Sequence, residues 1–214
     1  MSFTVSDVIT DTRDAVQDNV APYRYSDDDL VRKFNLVLRK AVILRPDLFT
    51  EITTISCASG SLQQCPTDSV RLMDVLNNSA GAAVKQVNQE VIDLMIPDWE
   101  NLSPGPATNW MRYPRDPNRF YVYPPAVAAA SLQIIYSKCP AVLSTSSTVP
   151  MQDVYMPVLV DGLCWLAEAI DAEHVESGKA KMFKDSFTEA LTVGLQARRI
   201  TDTDSAAGPA EETI

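Results

Sequence analysis

The chain has 214 residues, 46% of them hydrophobic and 21% charged, and a formal charge of -10. That length supports a full hydrophobic core in one or two small domains, and no apolar run approaches the roughly 20 residues that a membrane-spanning helix needs. The acidic excess argues against general attraction to nucleic-acid phosphate or to an anionic membrane surface. Residues 1–7 carry no basic region, apolar core or cleavage site, so synthesis in the cytoplasm is the expectation.

In chain order, Val5, Val8, Ile9, Thr12 and Val16 recur at helical spacing, with Thr4 or Ser6 as cap, which predicts an amphipathic helix over 4–18. Opposite that apolar face run Asp7, Asp11, Asp14 and Asp18, an acidic stripe. Ala21-Pro22-Tyr-Arg-Tyr25 breaks the pattern, and Ser26 with Asp29 resembles a capping box. The second helix carries the stripe Leu30, Phe34, Val37, Ala41 and Leu44 and stops at Arg45-Pro46, because proline disfavours helical geometry in the residue before it. Between 30 and 46 lie Arg32, Lys33, Arg39, Lys40 and Arg45 with no acid, so one helix is basic inside an acidic protein.

Residues 49–136 change to short β-branched and aromatic runs at 52–57, 62–65, 70–76 and 83–87, with turns at 58–60 and 77–81, the texture of an antiparallel meander. A helical insert is expected over 88–96, with Val91, Ile92 and Met95 on one side, and a loop over 101–108. Asp116-Pro117-Asn118 sets a tight turn before an aromatic strand at 120–123. Pro124-Pro125 should stop that strand, and Ala130, Leu132, Ile134 and Tyr136 at period two read as its return. Beyond a polar linker at 144–149, Val154 to Ile170 and Met182 to Leu195 give two more helical patterns, with Pro157 in a first turn and Ser177-Gly178 between them.

The expected fold is α+β: four long helices, in two hairpins, form a bundle with a small antiparallel β-domain inserted. The boundaries are 1–48 and 150–200 for the helical hairpins, 49–143 for the β-domain and 201–214 for a flexible acidic tail with too little apolar surface to order itself.

Candidate chemistry is sparse. Asp27-Asp28-Asp29 can be read as metal carboxylates, but consecutive acids at a helix start meet the helix dipole. The single histidine, His174, lies among acids at a helix end, and isolated turn glycines give no phosphate loop. The four cysteines form no Cys-x-x-Cys; Cys57 and Cys65 flank a turn where a disulfide is sterically conceivable, against reduced thiols acting as small apolar groups. No catalytic, cofactor or metal residue is assigned. Trp99, Trp110, Tyr113, Phe120, Tyr121 and Tyr123 are either strand-face packing or the stacking surface of a monomeric carbohydrate or nucleic-acid binding module, the alternative function.

The charge layout suggests assembly. The acidic stripe of Asp7, Asp11, Asp14 and Asp18 faces two readings: a solvated surface, or an interface with Arg32, Lys33, Arg39 and Lys40 of a neighbouring copy. Five segments, in order, carry a wider likeness: Pro22-Tyr-Arg-Tyr-Ser-Asp27, Leu44-Arg-Pro-Asp-Leu48, Leu72-Met-Asp-Val75, Arg115-Asp-Pro-Asn-Arg-Phe-Tyr-Val-Tyr-Pro-Pro125 and Asp153-Val-Tyr-Met-Pro-Val-Leu-Val-Asp161. Through these the chain resembles the head-to-tail adaptor proteins of tailed bacteriophages, including the tail tubular protein A group of short-tailed phages. It departs from them in Cys57 and Cys65 and in the acidic extension after Arg199.

The resemblance implies a structural virion protein in the neck between capsid and tail: a dodecameric ring below the portal protein, with a nozzle or other tail protein beneath. Genomic DNA would pass through its lumen without specific binding. Candidate contacts with portal or a neighbour are Arg115, Asp116 and Arg119 at the exposed turn, and Arg198, Arg199 and Ile214 in a terminal segment expected to order on contact.

Overall fold

A computed structural model describes residues 2–169 and 177–206, with the side chains of 178–193 in the last helix. In chain order the elements are α1 (Val5–Val16), α2 (Asp27–Leu44), β1 (Thr50–Ser56), β2 (Gly60–Gln64), β3 (Ser69–Asn78) and β4 (Lys85–Gln86). There follow α3 (Gln89–Met95), β5 (Asn109–Arg112), β6 (Arg119–Ala126), β7 (Ser131–Lys138), α4 (Met156–Glu168) and α5 (Ser177–Ala206). They divide into two compact units, one of Met1–Arg45 with Pro140–Ile214, the other of Pro46–Cys139.

In the helical unit, α1 begins with a full capping box. Thr4 Oγ1 accepts the Asp7 N–H, and the Asp7 carboxylate accepts the Thr4 N–H at 2.8 Å, so two otherwise orphaned donors are satisfied. The helix ends where Gln17 turns left-handed at φ 59°. In α2, Ser26 Oγ accepts the Asp29 N–H at 3.3 Å, but the Asp29 carboxylate turns away to Arg32 and Lys33. The cap is therefore one-sided. Helix α4 packs against α1, α2 and α5, burying Leu159, Leu163 and Ala167. Gly162 makes the approach possible: a Cβ there would lie 2.7 Å from Val37 Cγ1 and 2.8 Å from Phe187 Cδ2. The polar segment before α4 is tied down, as Asn35 exchanges hydrogen bonds of 2.9 and 2.8 Å with the Leu143 backbone.

The other unit holds seven strands in two sheets, ordered β1-β7-β3 and β2-β6-β5-β4. Their facing sides share a core that includes Leu72, Val75, Trp110, Phe120, Val122, Leu132 and Ile134. On the other face of the second sheet, Met111, Tyr121 and Tyr123 pack with Ile92 of α3 and Trp99, the period-two alternation of a strand covered on both sides.

The expected bundle of four long helices is corrected: among the described residues α1 and α4 span only 12 and 13 residues, α3 is a fifth helix, and seven strands form two sheets. The fold is α+β without that bundle. The sheets also differ from a simple antiparallel meander, since β4 and β5 pair in parallel. Strands β6 and β7 are not a hairpin; β6 pairs with β2 and β5, and β7 with β1 and β3. Nor does Pro124-Pro125 end β6. Between the pairs Leu62↔Tyr121 and Gly60↔Ala126 the register shifts, leaving both prolines in an irregular stretch without a β2 partner. Their missing N–H groups are not needed there, while the Pro125 carbonyl still accepts the Gly105 N–H at 2.9 Å. The chain then crosses sheets at Ala129, whose φ is 62°, and hydrogen bonds of 2.7 and 3.0 Å join Cys57 to Ala130 and Ala129.

Candidate interaction surfaces

Arg13 is the cation of α1 that falls on its apolar face, four residues after Ile9 and three before Val16. Its guanidinium is buried and engaged through both terminal nitrogens. Nη1 donates to Asp18 at 2.6 Å, and Nη2 donates to the Tyr25 carbonyl at 2.9 Å and to Asp27 at 2.6 Å. The Tyr23 ring covers it at 4.0 Å. Asp18 in turn accepts the backbone N–H groups of Arg24 and Tyr25 at 2.7 and 3.2 Å. The segment Pro22-Tyr-Arg-Tyr-Ser-Asp27 is thereby moulded around one buried ion pair, which is why so many polar and aromatic groups fall together there.

The two charge stripes are consequently shorter than their sequence spacing suggests. Asp18 and Lys33 are buried, at 7% and 4% exposure. Lys33 Nζ lies 2.6 Å from Asp29 and 4.8 Å from the Tyr25 ring, and its ammonium, hydrogen-bonded to Asp29, holds that carboxyl below its usual range. Asp7, Asp11 and Asp14 stay exposed on α1. The Asp7 carboxyl is held low by hydrogen bonds from the Thr4 backbone and hydroxyl. On α2, Arg32 and Arg39 are exposed. Lys40 sits over the Trp165 ring at 3.8 Å, with Lys184 5.7 Å from the same ring; partial burial, then the Lys184 charge, lower the Lys40 pKa.

In the other unit, Arg115 and Arg119 are exposed and Asp116 is half-buried. Asp116 pairs with Arg119 at 3.4 Å and accepts the Asn118 N–H at 2.9 Å. The turn is stapled beneath: Cys65 N–H donates to the Asn118 carbonyl at 2.9 Å and Leu72 N–H to that of Pro117 at 3.0 Å. Arg198 and Arg199 belong to α5, but their side chains, like Ile214 as a whole, lie outside the described residues, as does His174.

The aromatic region offers little open stacking face. Trp99, Trp110 and Phe120 are buried at 2%, 0% and 0%. Trp99 and Tyr113 meet Tyr121 edge-on at 5.4 and 5.5 Å, and Trp110 meets Phe120 at 6.4 Å. The indole N–H groups donate to Asp93 and Asp74 at 2.8 and 3.1 Å. These rings are core furniture, which weakens the sugar- or base-binding alternative.

Asp27 and Asp29 are likewise held by Arg13 and Lys33. Cys57 and Cys65 are free thiols buried between the sheets, and the strands that precede each of them, β1 and β2, pair with different partners.

Among the exposed apolar residues that were missed as surface features are Leu36 and Ile43 on α2 and Leu94 and Met95 on α3, at 45%, 70%, 84% and 74% exposure. For α2 the signal is present, since neither residue belongs to the buried stripe of Leu30, Phe34, Val37 and Ala41.

A family model described as SU10 adaptor protein matches residues 3–211. No curated protein matches the chain.

Proposed function

The chain belongs to the SU10 adaptor protein family, a family of structural bacteriophage proteins, and on that premise we propose that it is the ring that joins portal to tail in the virion neck. The match over residues 3–211 is the observation that carries this reading. The ring is a dodecamer built by a heterologous contact between copies, with a nozzle or other tail protein beneath it. The five segments named above support a further likeness to the tail tubular protein A group of short-tailed phages.

In this reading the exposed acids Asp7, Asp11 and Asp14 of one copy meet the cations Arg32, Arg39 and Lys40 of the next. Burial of Asp18 and Lys33 assigns those two to the interior of the subunit instead. Arg115, Asp116 and Arg119, at a turn braced from below, meet the portal or a neighbour in this reading. DNA crosses the lumen without specific binding, because a net charge of -10 repels phosphate and leaves no sink for the genome.

The terminal segment containing Arg198, Arg199 and Ile214 is the proposed portal contact. Deleting residues 201–214 should lower co-sedimentation with purified portal at least about tenfold while leaving the urea unfolding midpoint of the remaining chain unchanged. Attachment undiminished by the deletion would remove this segment from the portal contact.

A further inference from the structure

Two exposed patches, one in each unit, complement each other in charge and in apolar content. On α2, helical spacing of 100° per residue puts Arg32, Leu36, Arg39 and Ile43 within about 60° of arc and about 16 Å of length. Leu36 and Ile43 are 45% and 70% exposed. They form an apolar ridge flanked by two guanidinium groups. On α3, Val91, Leu94 and Met95 share the outer face at 43%, 84% and 74% exposure, while Ile92 alone of the helix is buried. Glu90, Asp93, Asp98 and Glu100 surround them in sequence and are all exposed, with no Lys or Arg between Lys85 and Arg112. This is an apolar knob with an acidic rim.

We infer that the α3 knob of one copy docks on the α2 ridge of the next copy, so that its acidic rim, rather than the α1 acids, meets Arg32 and Arg39 at the contact that closes the ring. The inference rests on the ring reading above and specifies its interface. Neither patch suits its own twin, since a two-fold contact would set arginines against arginines or acids against acids. The pairing is therefore head-to-tail, the kind that generates a ring or filament. The α1 acids cannot replace α3 here: the outward residues Ser6, Asp7, Thr10, Asp11 and Asp14 include no large apolar group to cover Leu36 and Ile43. Burying Leu94 and Met95 against that ridge supplies the desolvated centre, and the rim charges fix direction and discriminate against wrong partners.

The test uses two full-length variants, Leu36→Cys and Leu94→Cys, each in a Cys139→Ser background, assembled on purified portal and treated with a short thiol-reactive cross-linker. The two mixed together should give a covalent dimer, and neither alone should give more than background. A ring that forms without a cross-link in the mixture overturns the α2–α3 contact and leaves the ring reading standing. Failure of the wild-type chain to assemble with portal overturns both. As a second measurement, the Leu94→Ser/Met95→Ser variant should assemble at least about tenfold more weakly than wild type with an unchanged unfolding midpoint; assembly equal to wild type contradicts the inference.

Discussion

Arg13 and Asp18 form a buried pair whose members also satisfy backbone groups of the following segment, so neither can lose its partner cheaply. Asp18→Ala leaves the guanidinium short of one carboxylate and the N–H groups of Arg24 and Tyr25 without their acceptor. Removing one member of such a pair costs about 3–5 kcal/mol, and urea denaturation should read a loss in that range; a loss under about 1 kcal/mol contradicts the assigned role. The thiols give a second prediction. Burial pushes Cys65 up to about 11 and Cys164 up to about 12, and raises Cys57 as well. At pH 8 a disulfide reagent should find one fast thiol, the half-buried Cys139, and all four only after denaturation. Because these folded pKa values lie above the unfolded value, their stabilising effect is complete below about pH 9 and is lost as pH rises toward 11 and 12. Four fast thiols in the native protein would contradict the burial. Arg13 went unread in the sequence although it falls on an apolar face, and its partners come from a turn whose course no local pattern defines.

At the scale of elements, the caps and the apolar stripes of α1 and α2 were legible, because both are set by residues within one turn of helix, whereas Val154 and Met182, read into the later helical patterns, are 67% and 60% exposed. Thr4, Ser26 and the position of Pro157 in a first turn all follow that logic. Strand pairing was not. The runs at 52–57 and 62–65 and the aromatic strand were recognisable as strands, but the partner of each lies far along the chain: β1 with β7, β2 with β6. Alternation reports which residues face a core, not which neighbour supplies the ladder. The prolines of β6 misled for the same reason, since their tolerance depends on an irregular β2 register that only the assembled sheet creates. Gly162 gives the test at this scale. Its missing Cβ lets α2 and α5 close on α4, so Gly162→Ala should destabilise the chain by about 1–3 kcal/mol through overpacking despite the better helix propensity of alanine. A variant as stable as wild type would mean that the helices have room to spare.

For the molecule as a whole, two compact units carry different surface signatures: exposed cations and apolar residues on α2 in one, an acid-rimmed apolar helix in the other. That asymmetry is the ground for the proposed head-to-tail repetition, and membership in an adaptor family makes the chain a component of the phage virion. The adaptor family was legible through the five motif segments. The exposed apolar positions were less so, because exposure of Leu94 or Ile43 follows from tertiary packing. Electron microscopy of purified portal mixed with this chain is the most direct measurement of the central claim. The account predicts a closed ring of twelve copies on the tail-facing side of the portal with an open lumen; portal particles that stay bare, beside a chain that remains monomeric, would contradict it.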